Sequence, residues 1–147
     1  MQRLLLLLAL GAASAFLAGC RAGRDSTPPV RPNIVLITID TLRADRIGRG
    51  FTPAIDALAT AGARFDNARS TVPLTLPSHV TIMTGLLPVA HGVRDNGVVF
   101  APQPSSPTLA RRLQDAGYRT AAFVGAYVLD RRFRPADGFD SYDDRIR

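Results

Sequence analysis

The sequence predicts an α/β fold, a mainly parallel sheet flanked by helices. Three observations carry that prediction. Residues 34–39, Ile-Val-Leu-Ile-Thr-Ile, are a nearly continuous apolar, β-branched run, the pattern of a strand buried on both faces of a parallel sheet. Helical stretches opened by Pro and closed by Gly follow it. Residues 118–124 then repeat the buried-strand pattern, so strands and helices alternate.

Each element has its own punctuation. Thr52-Pro53 opens the first helix, with Thr52 as N-cap and Pro53 at the first helical position, where a missing N–H costs nothing. Ile55, Leu58 and Ala59 share one face of it, and Gly62 supplies the stop. Residues 63–68 read as a short extended segment. Pro77 begins a second short helix that carries Val80 and Met83 inward and closes at Gly85. Ser106-Pro107 repeats the N-cap-plus-Pro device, Leu109 and Leu113 form an i, i+4 pair, and Gly117 ends that helix. Residues 133–147 are rich in Asp and Arg and hold no closing element, so the sheet reads as incomplete. There is no internal repeat.

Composition narrows the partners. Hydrophobic residues make up 46% of 147, as in globular chains. All 18 basic residues are Arg and all 12 acidic ones are Asp, a compositional bias without functional content. The net charge of +6 is scattered rather than gathered into a stripe, and no nucleic-acid motif accompanies it, so nucleic acid is not an expected partner. Cys20 is the single cysteine, which excludes an intramolecular disulfide. Arg3, an apolar run over residues 4–17 and Leu17-Ala18-Gly19-Cys20 describe a secretory signal whose ending resembles a bacterial lipobox, with Cys20 lipidated. The run is shorter than the roughly 20 residues of a spanning helix. Residues 1–20 are therefore expected to be a lipoprotein signal peptide and the polar, Pro-rich residues 21–32 a flexible tether. Residues 33–147 are then the domain. The expected location is the bacterial cell envelope, lipid-anchored on the extracytoplasmic (periplasmic or outer) side, with the membrane as a partner through the anchor.

In open α/β sheets ligands bind at the carboxyl ends of strands, and Asp40 stands at the end of the most apolar one. A carboxylate is costly there unless it coordinates a cation or pairs, so Asp40 is a metal ligand, a helix cap or a partner of Arg43 or Arg46. Read alone, Thr75 is a turn residue before Pro77, Ser78 a cap and His79 a helix-face histidine. Arg94 and Asp95 read equally as substrate contacts or a solvated loop, and His91 as structural.

Longer motifs sharpen these readings. Residues 33–48, Asn-Ile-Val-Leu-Ile-Thr-Ile-Asp-Thr-Leu-Arg-Ala-Asp-Arg-Ile-Gly, closely resemble the opening strand and metal loop of sulfatases, members of the alkaline-phosphatase superfamily. Residues 51–65 are similar to that family's next helix and strand. Residues 73–79, Pro-Leu-Thr-Leu-Pro-Ser-His, followed by Thr84-Gly85, Pro88 and His91-Gly92, resemble its nucleophile segment. The resemblance runs over residues 33–144 and implies roughly the first third of a large α/β domain. It implies Asp40 as first metal ligand and Thr75 as nucleophile and metal ligand. The implied cofactor is a divalent metal, calcium if sulfatase-like and zinc or similar if phosphodiesterase-like.

Three departures qualify the resemblance. Thr41 replaces the second Asp of many sulfatases. Thr75-x-Pro77-x-His79 stands where sulfatases carry Cys/Ser-x-Pro-x-Arg for formylglycine formation, and threonine is not a known precursor. Gly117-Tyr118-Arg119-Thr120-Ala121 matches the family, but Gly125-Ala126-Tyr127-Val128 lacks the Lys and His that usually follow. The threonine segment is similar instead to nucleotide pyrophosphatase/phosphodiesterases of the superfamily, whose Asn after a His-Gly pair corresponds to Asn96, an implied oxyanion donor. With His79 as a further candidate, the expectation is a metal-dependent hydrolase of small-molecule or glycan sulfate or phosphate esters, inactive as the 147-residue chain alone. The alternatives are a phosphodiesterase- or phosphoethanolamine-transferase-like enzyme of the same superfamily and a non-catalytic lipoprotein on this scaffold.

Overall fold

A computed structural model describes residues 31–145. Cys20, the signal and nearly all of the tether lie outside them. The described residues divide into two units, parted between residues 38 and 39. In the first, residues 31–38 are exposed and form no regular element.

In the second unit, α1 (Pro53–Ala61), α2 (Thr75–Thr84), the single turn α3 (Pro88–His91) and α4 (Leu109–Asp115) precede strands β1 (Ala121–Phe123) and β2 (Ser141–Asp143). Three 3₁₀ turns accompany them, Ala44–Arg46, Tyr127–Leu129 and Arg131–Phe133. The sheet is a parallel pair with Ala121 opposite Ser141, Ala122 opposite Tyr142 and Phe123 opposite Asp143. The α/β class and the parallel pairing agree with the sequence; several boundaries do not.

The expected strand over residues 34–39 does not form. Ile34, Val35, Ile37 and Ile39 are more than half exposed, and the sheet among the described residues has only β1 and β2. An apolar run becomes a strand only when neighbouring strands satisfy its backbone groups, and the ladder among the described residues joins β1 to β2 alone. Residues 63–68 likewise make a turn rather than a strand. The expected strand over 118–124 shrinks to β1, while β2 arises inside the Asp- and Arg-rich stretch expected to hold no closing element.

Helix ends follow the side chains that satisfy them. Thr52 caps α1 through its C=O, which accepts Asp56 N–H at 2.8 Å, and not through its side chain; its hydroxyl and Gly48 N–H both donate to Asp56 Oδ1, at 2.9 and 2.8 Å, tying the preceding loop to the first turn. No residue of α1 is buried, and Leu58 points outward. The second helix starts at Thr75, two residues before the expected Pro77, and ends at Gly85 in the left-handed conformation (φ 72°). Thr108, not Ser106, caps α4, because its hydroxyl accepts Arg111 N–H at 3.1 Å while donating to Asp137 C=O at 2.9 Å.

The core lies under α2. Leu76, Val80, Val93, Phe100, Leu129 and Phe133 form one buried cluster, to which the two 3₁₀ turns after β1 contribute Leu129 and Phe133. A polar knot fixes β2. Thr120 Oγ1 donates to Gly138 C=O at 2.8 Å, and Asp140 Oδ2 accepts Thr120 N–H at 2.8 Å. The Thr120 amide foremost, and then the Gln114 side chain, hold the Asp140 carboxyl below its ordinary range. Arg131 grips Asp144 at 2.8 Å and Tyr142 C=O at 2.7 Å, and Tyr142 Oη donates to Leu129 C=O at 2.6 Å.

Gly138 is where α4 meets this knot. Its φ is +86°, and a Cβ would sit 2.6 Å from Arg111 Cα and 2.8 Å from Ala110 C, both rigid helix backbone. A side chain therefore meets conformational strain and overpacking together. Gly138→Ala is expected to destabilise the domain by about 3 kcal/mol or more, read from its urea midpoint against wild type.

Candidate functional site

The site gathers at the N-terminus of α2. Leu76 and Pro77 of its first turn are fully buried, so the turn is clamped onto the core and Thr75 is left at its rim, half-buried. Thr75 Oγ1 donates to Asp40 Oδ2 at 3.0 Å, joining residues 35 apart in sequence. The alternative partners of Asp40 are engaged elsewhere: Arg43 pairs with Asp45 at 2.9 Å, and Arg46 lies over the Phe51 ring, 5.6 Å from its centroid. Immediately after Asp40, Thr41 has φ 59°. A β-branched residue in the left-handed region costs about 1–2 kcal/mol, a strain typical of functional loops.

Asn96 closes the other side. Leu76 N–H donates to Asn96 Oδ1 at 3.0 Å, and Asn96 N–H donates to Asp95 Oδ1 at 2.8 Å. Because a backbone amide can only donate, the carboxamide oxygen faces the helix and the Nδ2 group is left available as a donor. Pro77 has no N–H, so the donors remaining at this helix end are Thr75 N–H and, beside it, Asn96 Nδ2.

His79 lies one turn into α2, partly buried. Its Nδ1 lies 2.8 Å from Thr75 C=O one turn back, and since a carbonyl only accepts, that nitrogen carries the proton. Ser78 bonds Val72 C=O at 2.7 Å and so ties down the loop before α2 instead of capping the helix. Arg94 and Asp95 are exposed. Asp40, Thr75 and Asn96 are thus brought together around one helix end, with His79 one turn further along.

Sequence reasoning missed His91 as a connector. Its ring is buried at the end of α3, Val93 N–H donates to Nδ1 at 3.1 Å, and Nε2 lies 3.1 Å from Thr81 Oγ1 on α2. Nδ1 is therefore the acceptor, and the neutral ring donates through Nε2–H. The two-residue step to an apolar Val93 was the available signal, but the Thr81 contact spans ten residues and has no local signature.

Hard oxygen donors suit a divalent cation, and the Asp40 carboxylate and Thr75 hydroxyl converge as such a pair. Among the described residues no cluster of three His, Cys, Asp or Glu side chains accompanies them.

With this geometry established, comparison assigns the chain to a family. The Sulfatase family model matches residues 32–147, and the chain belongs to that family. It is 35% identical over 142 residues to an N-acetylglucosamine-6-O-sulfatase of Bacteroides thetaiotaomicron, a match covering 93% of this chain and 24% of that protein. An arylsulfatase of Clostridium perfringens is 34% identical over 110 residues, covering 70% and 22% respectively. An ectonucleotide pyrophosphatase/phosphodiesterase of Caenorhabditis elegans is 32% identical over 101 residues, covering 68% and 13%. Relatives of both kinds fit the alkaline-phosphatase superfamily. The chain spans about a quarter or less of the length of these relatives. No solved structure matches it.

Burial lowers the His91 pKa below its usual 6.5, the hydrogen bonds around it only partly offsetting the desolvation. The unfolded chain then binds this proton more readily than the folded one. The stability contribution is complete above pH 6.5 and is lost as the pH falls below it. A thermal midpoint that falls between about pH 6.5 and 5, above the carboxylate range, is expected, and His91→Gln should flatten that slope.

Proposed function

We propose that the protein is an extracytoplasmic, metal-dependent hydrolase of oxyanion esters in which Thr75 is the nucleophile and Asp40 and Thr75 are metal ligands. The observation that carries this is the 3.0 Å bond between Thr75 Oγ1 and Asp40 Oδ2 at the start of α2. A bound divalent ion would supply charge neutralisation at the ester and a lower pKa for the Thr75 hydroxyl.

The chain's own residues supply the rest. Asp40 holds the hydroxyl hydrogen, so the lone pairs of Thr75 Oγ1 are directed away from the carboxylate. Thr75 N–H and Asn96 Nδ2 stand as donors for the oxygens that gain charge as the ester is attacked. His79 fixes the first turn through Thr75 C=O. A threonine nucleophile with an asparagine donor favours phosphate diesters over sulfate esters. The match to an ectonucleotide pyrophosphatase/phosphodiesterase supports that preference, and the sulfatase matches support the family scaffold. Small-molecule and glycan esters are both compatible substrates.

For the full-length protein with an added divalent metal, turnover is expected on an aryl phosphodiester in preference to an aryl sulfate. Thr75→Ala should reduce it to background and Thr75→Ser should keep part of it; unchanged turnover in Thr75→Ala removes the residue from the nucleophile role. Asn96→Asp preserves an acceptor for Leu76 N–H but removes the donor, so kcat is expected to fall about 10²–10³-fold while the fold is retained. No turnover on either ester with any divalent metal favours the non-catalytic alternative.

The Leu-Ala-Gly-Cys ending at Cys20 supports anchoring of this enzyme by lipid at the envelope. Wild type is expected to partition into detergent after Triton X-114 phase separation, and Cys20→Ser into the aqueous phase. Equal partitioning of the two removes the lipid anchor.

A further inference from the structure

The loop 92–96 is stapled to α2 at two ends. At one end Asn96 Oδ1 accepts Leu76 N–H at 3.0 Å. At the other, the His91 ring bridges Thr81 Oγ1 on the helix and Val93 N–H on the loop, both at 3.1 Å. Between them the Val93 side chain is buried in the same cluster as Leu76 and Val80. Gly92, at φ 79°, makes the reversal that returns the Val93 amide over the ring.

We propose that His91 is a positioning residue for Asn96: by joining Thr81 to Val93 it sets where the loop leaves the core, and so seats the Asn96 carboxamide on Leu76 N–H at the nucleophile. The proposal rests on the reading of Asn96 as an oxyanion donor and extends it to a buried histidine that touches no reacting atom. The geometry carries it in three ways. The ring is buried and has a partner on each nitrogen, one on the helix and one on the loop. Asn96 itself is exposed, so it has little packing of its own to hold its carboxamide in place. A short loop pinned at His91 and Val93 leaves few residues of slack before Asn96, and donors of this kind lose most of their effect when displaced by about 1 Å.

The seat can be read without catalysis. Leu76 N–H has Asn96 Oδ1 as its partner, so its hydrogen exchange reports whether the carboxamide is in place. In the full-length protein His91→Ala is expected to speed exchange at Leu76 by about tenfold, to the rate in Asn96→Ala, while Val80 in the middle of α2 exchanges as in wild type. Wild-type exchange at Leu76, or equal acceleration at Val80, overturns the proposal, the latter because it reports general loosening. Should His91→Ala fail to fold, His91→Asn and His91→Gln, each able to keep one of the two bonds, are read by the same criteria.

A kinetic cycle adds the functional readout. His91→Ala should lower kcat with KM little changed, and should lower it no further in an Asn96→Ala background. Additive losses overturn the proposal. If Asn96→Ala alone leaves turnover at the wild-type level, the donor reading of Asn96 fails, and the exchange rates at Leu76 still decide whether His91 seats the side chain.

Discussion

The sealing of Leu76 and Pro77 beneath the first turn of α2 is the constraint on which the rest of this structure depends. Helix termini ordinarily fray, and a side chain placed on one would sample many positions. Here the first turn carries Leu76, the most deeply buried side chain of the cluster, beside the equally sealed Pro77; Val93, Phe100, Leu129 and Phe133 share that cluster, and Thr75 emerges at its edge. Hydrophobic burial sets the backbone; two hydrogen bonds, to Asp40 and from Leu76 to Asn96, then choose the directions of the polar groups around it. A helix end so anchored presents fixed dipoles instead of mobile ones, the condition for electrostatic stabilisation of a charged transition state.

What the sequence revealed, and what it hid, follows from the range of the interactions. The helix starting at Pro53 and the stop at Gly85 were legible because the chemistry lies within a few residues. Asp40, Thr75 and Asn96 were legible through a family pattern of spacing, and the structure brings them to one helix end. The run over 34–39 misled because apolarity reports a wish for burial, while a strand is a relation between segments. β2 was hidden for the opposite reason: Ser141, Tyr142 and Asp143 have no apolar alternation, and their place is fixed by the Thr120 knot and by Arg131. Thr108 displaced Ser106 as a cap because only its hydroxyl also reaches Asp137, a partner 29 residues away.

Polar satisfaction is complete inside the described residues: no buried side-chain nitrogen or oxygen among them is without a partner. Thr108, Thr120 and His91 each use both donor and acceptor capacity to tie two segments, so the buried polar groups act as connectors. Among the described residues each ion pair keeps its arginine in contact with solvent, and Arg131–Asp144 and Arg145–Asp143 draw their carboxyls below the usual range, Asp143 to about 2. Such exposed pairs add little stability singly, and the Asp144 pair matters through geometry, since it joins β2 to the turn that delivers Phe133 to the core.

The bond between Asp40 and Thr75 also closes a loop of 35 residues, and that loop carries α1 with no buried residue. Closure entropy grows only logarithmically with length, so doubling such a loop costs about 0.6 kcal/mol. Segments between these two residues can therefore lengthen, shorten or change composition at small thermodynamic expense while both ends stay pinned. Asp40 and Thr75 are held by the ends, and the wall beside them is free to diversify, which gives the domain a built-in place for change that leaves the pairing of these two residues intact.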